Sequence, residues 1–198
     1  MLTFYTNPMS RGRMIRWMLE ELEEPYETVV LGYGADMNAP GYLALNPMGK
    51  VPTVVLGETV VTEVAAICTW LAQKFPEKGL MAQDSASFYR WMFFAAGPLE
   101  AAVTNTSFGW KPEGPEQEGR AGYGSFDRVV RTLSGYLGNH DYIADGRFTA
   151  ADVYVGSQVG WGMRFGSLPE TDAFQAYWNR LKDRPALIRA NTKDDALI

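Results

Sequence analysis

Three short stretches of this chain hold residue types whose spacing could do chemistry. The first is Tyr5-Thr6-Asn7-Pro8-Met9-Ser10-Arg11, which sets a hydroxyl where a strand-like run gives way to a helical one. A hydroxyl at a helix start lies beside several unpaired N–H groups and the positive end of the helix dipole, which together favour an anion such as a thiolate. Thiol pKa values fall in such places. The plainer reading of Ser10 is an N-cap whose oxygen accepts an N–H of the first turn. The second stretch is Asn46–Thr62, NPMGKVPTVVLGETVVT, in which Pro52 can open an apolar strand but cannot lie inside a central one. A turn there leaves the backbone N–H and C=O of Val51 for a peptide-like ligand. The third is Thr62-Glu63-Val64, where a helical run over 63–74 begins with Thr62 as its expected cap and the Glu63 carboxylate favours the positive helix end.

The elements that hold these stretches follow from periodicity. Leu2–Thr6 is an apolar and aromatic strand ended by the turn signal Asn7-Pro8, and Met14, Ile15, Trp17, Met18, Leu19 and Leu22 then mark a helix starting near Ser10. Tyr26–Leu31 is β-branched and alternating, a second strand, and residues 31–45 are irregular with a short helix at most. Gly57-Glu58 joins Thr53–Leu56 to Thr59–Thr62 as a tight hairpin. Val64, Ile67, Cys68 and Leu71 then share a helix face, which gives the order β-α-β-α-β-β-α. Phe75-Pro76-Glu77-Lys78-Gly79 has a domain-boundary composition. Beyond it the spacing predicts helices only. One long helix runs from Asp84 through Phe88, Trp91 and Leu99 to Val103, a break falls at Lys111–Pro115, and further helices lie at 126–137, 172–182 and 185–191. Thr149-Ala-Ala-Asp152 is an acidic variant of the capping box at the head of another apolar helix.

Composition narrows the function. With 198 residues, 46% of them hydrophobic, the chain can bury a full core as one large domain or two small ones. A net charge of −5 without any run of Lys or Arg argues against nucleic acid or an anionic membrane as main partner. One cysteine, Cys68, and one histidine, His140, leave no disulfide framework, no CxxC pair and no ordinary Cys/His zinc site. The cysteine falls among core positions and reads as an inert thiol. No leader or membrane-spanning run is evident, which makes the cytoplasm the expected location.

The succession N-P-x-G-x-V-P, two short strands and Thr-Glu-x-Ala-Ala-Ile (Thr62 to Ile67) closely resembles the glutathione-binding domain of cytosolic glutathione transferases, most nearly the bacterial serine type. The resemblance covers almost the whole length. It implies an α/β plus all-α fold: a thioredoxin-like domain over residues 1–76, a linker over 77–84 and a C-terminal helical bundle over 85–198. It implies a cis bond at Pro52, with Val51 pairing through its backbone with the cysteinyl part of glutathione. Ser10, five residues after Tyr5, would donate a hydrogen bond to the glutathione sulfur, with Tyr5 as the rival donor and Arg11 as a supporting charge. Glu63 would take the γ-glutamyl end and Lys50 the glycyl carboxylate. Val64 stands where the family usually has Ser, which removes one hydroxyl hydrogen bond worth about 0.5–1.5 kcal/mol.

Met9, Trp91, Phe94, Phe108, Trp110, Trp161 and Phe165 could line an apolar second-substrate pocket between the domains, although each also fits a core position. The implied protein is a cytoplasmic homodimer that uses glutathione as co-substrate, without a metal, and adds its thiolate to a small apolar electrophile in detoxification. Two other readings stay open. One is a glutathione-dependent disulfide reductase or isomerase; the other is a transferase-like protein that binds partners without catalysis.

Overall fold

Strand β1 (Leu2–Thr6) lies between two unlike neighbours in a four-stranded sheet of order β2-β1-β3-β4. It runs parallel to β2 (Tyr26–Val30) and antiparallel to β3 (Thr53–Leu56), and β3 pairs antiparallel with β4 (Thr59–Thr62). A parallel pair needs a crossover, supplied here by helix α1 (Gly12–Leu22). Helix α2 (Pro40–Leu43) is a single turn, and α3 (Val64–Lys74) follows the hairpin. Leu56 and Thr59 are partners, so the hairpin loop is the two residues Gly57-Glu58, and Gly57 supplies the positive φ of 60° that its first position takes. Leu2 and Phe4 are buried on one face with Val54, the register partner of Phe4. All six apolar positions expected on the α1 face are buried.

The computed structural model describes all 198 residues, and they form two compact units, Met1–Gly79 with Asp183–Ile198 and Leu80–Lys182. The second unit is helical. It consists of α4 (Ser85–Phe94), a π-helical turn at Ala95–Leu99, α5 (Glu100–Ser107), α6 (Gly114–Arg120), α7 (Phe126–Leu137), α8 (Ala150–Arg164) and α9 (Asp172–Leu181). The expected single helix from Asp84 to Val103 is therefore interrupted. Pro98 has no N–H to give and its ring crowds the preceding turn, so the backbone widens there. Residues 111–115 do break the chain, but Gly114-Pro115 also starts α6, with proline in the first turn where no donor is needed. In the capping box, Asp152 accepts from the N–H of Thr149 at 2.8 Å, its hydroxyl at 3.0 Å, the N–H of Ile143 at 2.8 Å and the Tyr177 hydroxyl at 2.9 Å. Both box residues are fully buried.

The last helix, α10 (Pro185–Asp195), belongs to the first unit. A boundary at 77–84 would leave it with the helical bundle; its side chains explain why it packs on α1 instead. Arg184 grips Glu21 with two bonds of 2.7 Å, Arg189 and Lys193 both reach Glu20, and Arg16 pairs with Asp194 at 3.0 Å with both side chains buried. Arg16 also lies 5.0 Å from the Phe4 ring centre and donates to Thr28 at 2.7 Å, so its charge is shared among sheet and helix. No helix is long and apolar enough to cross a membrane.

Candidate active site

The strand register brings the three stretches to one end of the sheet. Thr53 at the start of β3 is the partner of both Tyr5, near the end of β1, and Thr62, at the end of β4. The turn holding Ser10, the Val51-Pro52 bond and the start of α3 therefore leave the sheet side by side.

Two Asn-Pro-Met sequences build the loops, and they do so in the same way. Asn7 Oδ1 accepts from Met9 N at 2.9 Å and Asn46 Oδ1 from Met48 N at 3.1 Å, each an Asx turn. Their amide nitrogens tie the turns down, Asn7 to the Leu31 carbonyl and Asn46 to the Lys50 carbonyl. The repeated Asn-Pro-Met was the signal by which both asparagines could have been found. Sequence reasoning passed over Tyr42 as well. Its hydroxyl donates to the Lys50 carbonyl and lies 2.9 Å from Thr53 Oγ1, and burial raises its pKa, which keeps it a neutral donor.

Ser10 sits in the turn before α1, which starts at Gly12 rather than at Ser10 itself. Its Oγ accepts the Gly12 N–H at 2.9 Å, as an N-cap would, and donates to the Asn7 carbonyl at 2.7 Å. Gly12 is required by space: a Cβ there would collide with Thr6 Oγ1 and approach Ser10 Oγ to 3.0 Å. Arg11 is exposed in the position before the helix. Tyr5 is half-buried with its ring centre 5.6 Å from that of Tyr42, so it braces the loop that carries Val51.

The Val51-Pro52 peptide bond is cis. Lys50 and Val51 precede it differently: the Lys50 carbonyl is held by Asn46 and Tyr42 while its side chain is exposed, whereas the Val51 N–H and C=O join no backbone bond of the chain. Thr62 is the last residue of β4 and not the cap of α3. Glu63 holds that position with φ 67° and ψ 123°, its side chain exposed and making no capping bond. The first amides of α3 are thus left open, and a side chain other than glycine is held in a strained conformation at their head. Val64, in contrast, turns its side chain inward and is 8% exposed.

A family model described as "Glutathione S-transferase, N-terminal domain" matches residues 9–74, and one described as "Glutathione S-transferase, C-terminal domain" matches residues 96–185. The chain belongs to the glutathione S-transferase family. Glutathione S-transferase GstA of Escherichia coli O157:H7 is 28% identical to it over 154 residues, 75% of either chain. Glutathione S-transferase GST-4.5 of Xanthomonas campestris pv. campestris is 25% identical over 91% of this chain and 92% of its own. The glutathione S-transferase from Xylella fastidiosa shares the fold, with a TM-score of 0.78 at 24% identity over 98% of this chain and 99% of that one.

The apolar residues expected to meet a second substrate of such a transferase divide by burial. Trp91 is 0% exposed, with Phe94 edge-on at 5.2 Å and Tyr136 at 4.5 Å, so it belongs to the core of its unit and not to a pocket wall. Phe94 and Trp161 are half-buried. Met9, Phe108, Trp110 and Phe165 are exposed. Cys68 is fully buried and its thiol pKa is pushed up by desolvation, which leaves it inert.

Proposed function

We propose that this glutathione transferase binds glutathione at the sheet end where β1, β3 and β4 meet and adds its thiolate to a small apolar electrophile. One observation supports this most: an unpaired backbone at Val51, a hydroxyl at Ser10 and an open helix start behind Glu63 stand at the same sheet end, each suited to a different part of a short anionic peptide thiol. Val51, presented ahead of Pro52, pairs with the cysteinyl backbone, as a strand edge pairs with any extended peptide. The α-carboxylate goes to the free amides of α3, Glu63 takes the γ-glutamyl ammonium, and Lys50 meets the glycyl carboxylate.

Ser10 does the chemical work by an exchange of partners. Its proton now goes to the Asn7 carbonyl; with glutathione bound it goes to sulfur, while the Gly12 N–H still donates to its oxygen. A hydrogen bond to a thiolate is stronger than one to a neutral carbonyl, so the exchange favours ionisation of the thiol. Arg11 adds positive charge nearby, and Tyr5 supports the Val51 loop through Tyr42. Met9, exposed in the same turn as Ser10, is the residue proposed to offer apolar contact to the electrophile. The protein works as a cytoplasmic homodimer.

The test is titration with reduced glutathione, followed by ultraviolet difference absorbance of the bound thiolate and by turnover of an aryl halide. Ser10→Ala is expected to raise the pH midpoint of the rate while glutathione affinity stays within about threefold. An unchanged pH profile transfers the role to Tyr5, and no glutathione binding refutes the proposal.

A further inference from the structure

The carbonyls of the turn before α1 are each held by a different group. Asn7 O accepts from Ser10, Met9 O accepts from the Tyr33 hydroxyl at 2.9 Å, and Pro8 O accepts from Arg13 Nε at 2.6 Å. Arg13 has a second bond. Its Nη2 donates to Asp195 Oδ1 at 2.6 Å, in the last turn of α10. The arginine side chain is 17% exposed and the aspartate 65%, and an ion pair with so open a partner adds little stability. What it does fix is orientation, because a planar guanidinium held at one edge presents its other N–H along a set direction. One turn along α1, Arg16 is held by the neighbouring carboxylate, Asp194, with both side chains buried. Two successive carboxylates of α10 therefore divide the work: Asp194 anchors the helix on α1, and Asp195 reaches the turn.

We propose that Arg13 and Asp195 are positioning residues for Ser10: α10 holds the arginine fork, the fork holds the Pro8 carbonyl, and that carbonyl sets the turn bearing the hydroxyl. The inference rests on the reading of Ser10 as the group that stabilises the thiolate. It also predicts a sign. The charged side chains of this cluster are Arg11 in the turn, Arg13 and Arg16 on α1, and Asp194 and Asp195 on α10. Deleting the Asp195 carboxylate removes negative charge, which as a field effect would favour a thiolate and raise the rate. Loss of positioning lowers it.

The experiment uses the full chain carrying Asp195→Ala, alone and with Ser10→Ala, with Asp141→Ala as control; the control breaks a comparably open pair to Arg180 at 2.6 Å in the second unit. The single variant is expected to lose about threefold to tenfold in kcat with KM for glutathione within about twofold, and to exchange the amide hydrogens of residues 9–12 faster at unchanged global stability. In the Ser10→Ala background the further loss in kcat should vanish, since the tie acts through that hydroxyl. A kcat that is unchanged or raised, unchanged exchange, or an equal loss in both backgrounds overturns the inference. Failure of the functional reading is seen in the parent protein alone, as absent turnover and absent thiolate. In that event amide exchange decides whether Asp195 holds the turn: faster exchange upholds the tie, and unchanged exchange overturns it.

Discussion

Gly12 tests the turn geometry with a single methyl group. In a first helical turn alanine would ordinarily gain about 1 kcal/mol over glycine. Here the Cβ meets Thr6 Oγ1, on a buried strand residue, and crowds Ser10 Oγ. Gly12→Ala is therefore expected to destabilise by about 1–3 kcal/mol, read from the denaturant midpoint, and adding Thr6→Ala should recover part of the loss. A stabilised single variant would mean that the Thr6 side chain swings clear of the added methyl group. Val64 poses the opposite problem. Restoring a serine supplies a hydroxyl worth about 0.5–1.5 kcal/mol to a bound carboxylate, yet it removes a valine side chain that is 8% exposed, at a cost of about 1–2 kcal/mol in stability. Val64→Ser should lower Tm while tightening glutathione binding severalfold by calorimetry, and unaltered affinity would show that the α3 amides suffice by themselves.

At the scale of the element, the start of α3 holds strain where binding is proposed. Glu63 at φ 67° and ψ 123° is in a region that side chains avoid, at a cost of about 1–3 kcal/mol. Glu63→Gly relieves that cost and removes the carboxylate. Tm should rise by about 2–4 °C for each kcal/mol relieved, while glutathione affinity falls about tenfold or more with the loss of a charged partner. A lower Tm, or unchanged affinity, contradicts the assignment. The same element shows what a sequence can and cannot carry. The α3 face of Val64, Ile67, Cys68 and Leu71 was legible, because burial imposes a period of 3.6 on residue types. Its cap was not, since Thr62 is a good cap by type but is spent as the last rung of β4. The four strands, their succession along the chain and the Thr149–Asp152 box were likewise open to local reading. The widened turn at Pro98 needed only that one proline to be weighed, and α6 needed Gly114-Pro115 to be seen as a start as well as a stop. The repeated Asn-Pro-Met could have marked Asn7 and Asn46, whereas Tyr42 could be placed only through its partners, which no local pattern names.

At the scale of the whole chain, the least legible feature was the home of α10, since its bonds join residues about 160 to 180 positions apart. It has a titration signature of its own. Burial alone would raise the Glu20 carboxyl, but bonds from Lys193, Tyr26 and Arg189 outweigh it and hold the pKa below its ordinary 4.5. A lowered carboxyl gives stability above its unfolded value and loses it as pH falls through the folded one. Asp152 in the second unit is shifted the other way, up to about 6 by burial, in spite of its four bonds from Ile143, Thr149 and Tyr177. Its contribution is complete below the unfolded value of 3.8 and is lost as pH rises through about 6. Acid therefore works on the two units with opposite sign. In denaturant titrations between about pH 7 and 4, the stability gap between the parent and Asp152→Asn should widen on acidification, by up to the order of 3 kcal/mol. The gap to Glu20→Gln should narrow as pH falls below 4.5, because the parent alone then loses the clasp between α1 and α10. Parallel changes in the two gaps would refute the assignment, for they would mean that one shared electrostatic field, and not two local environments, sets the acid response.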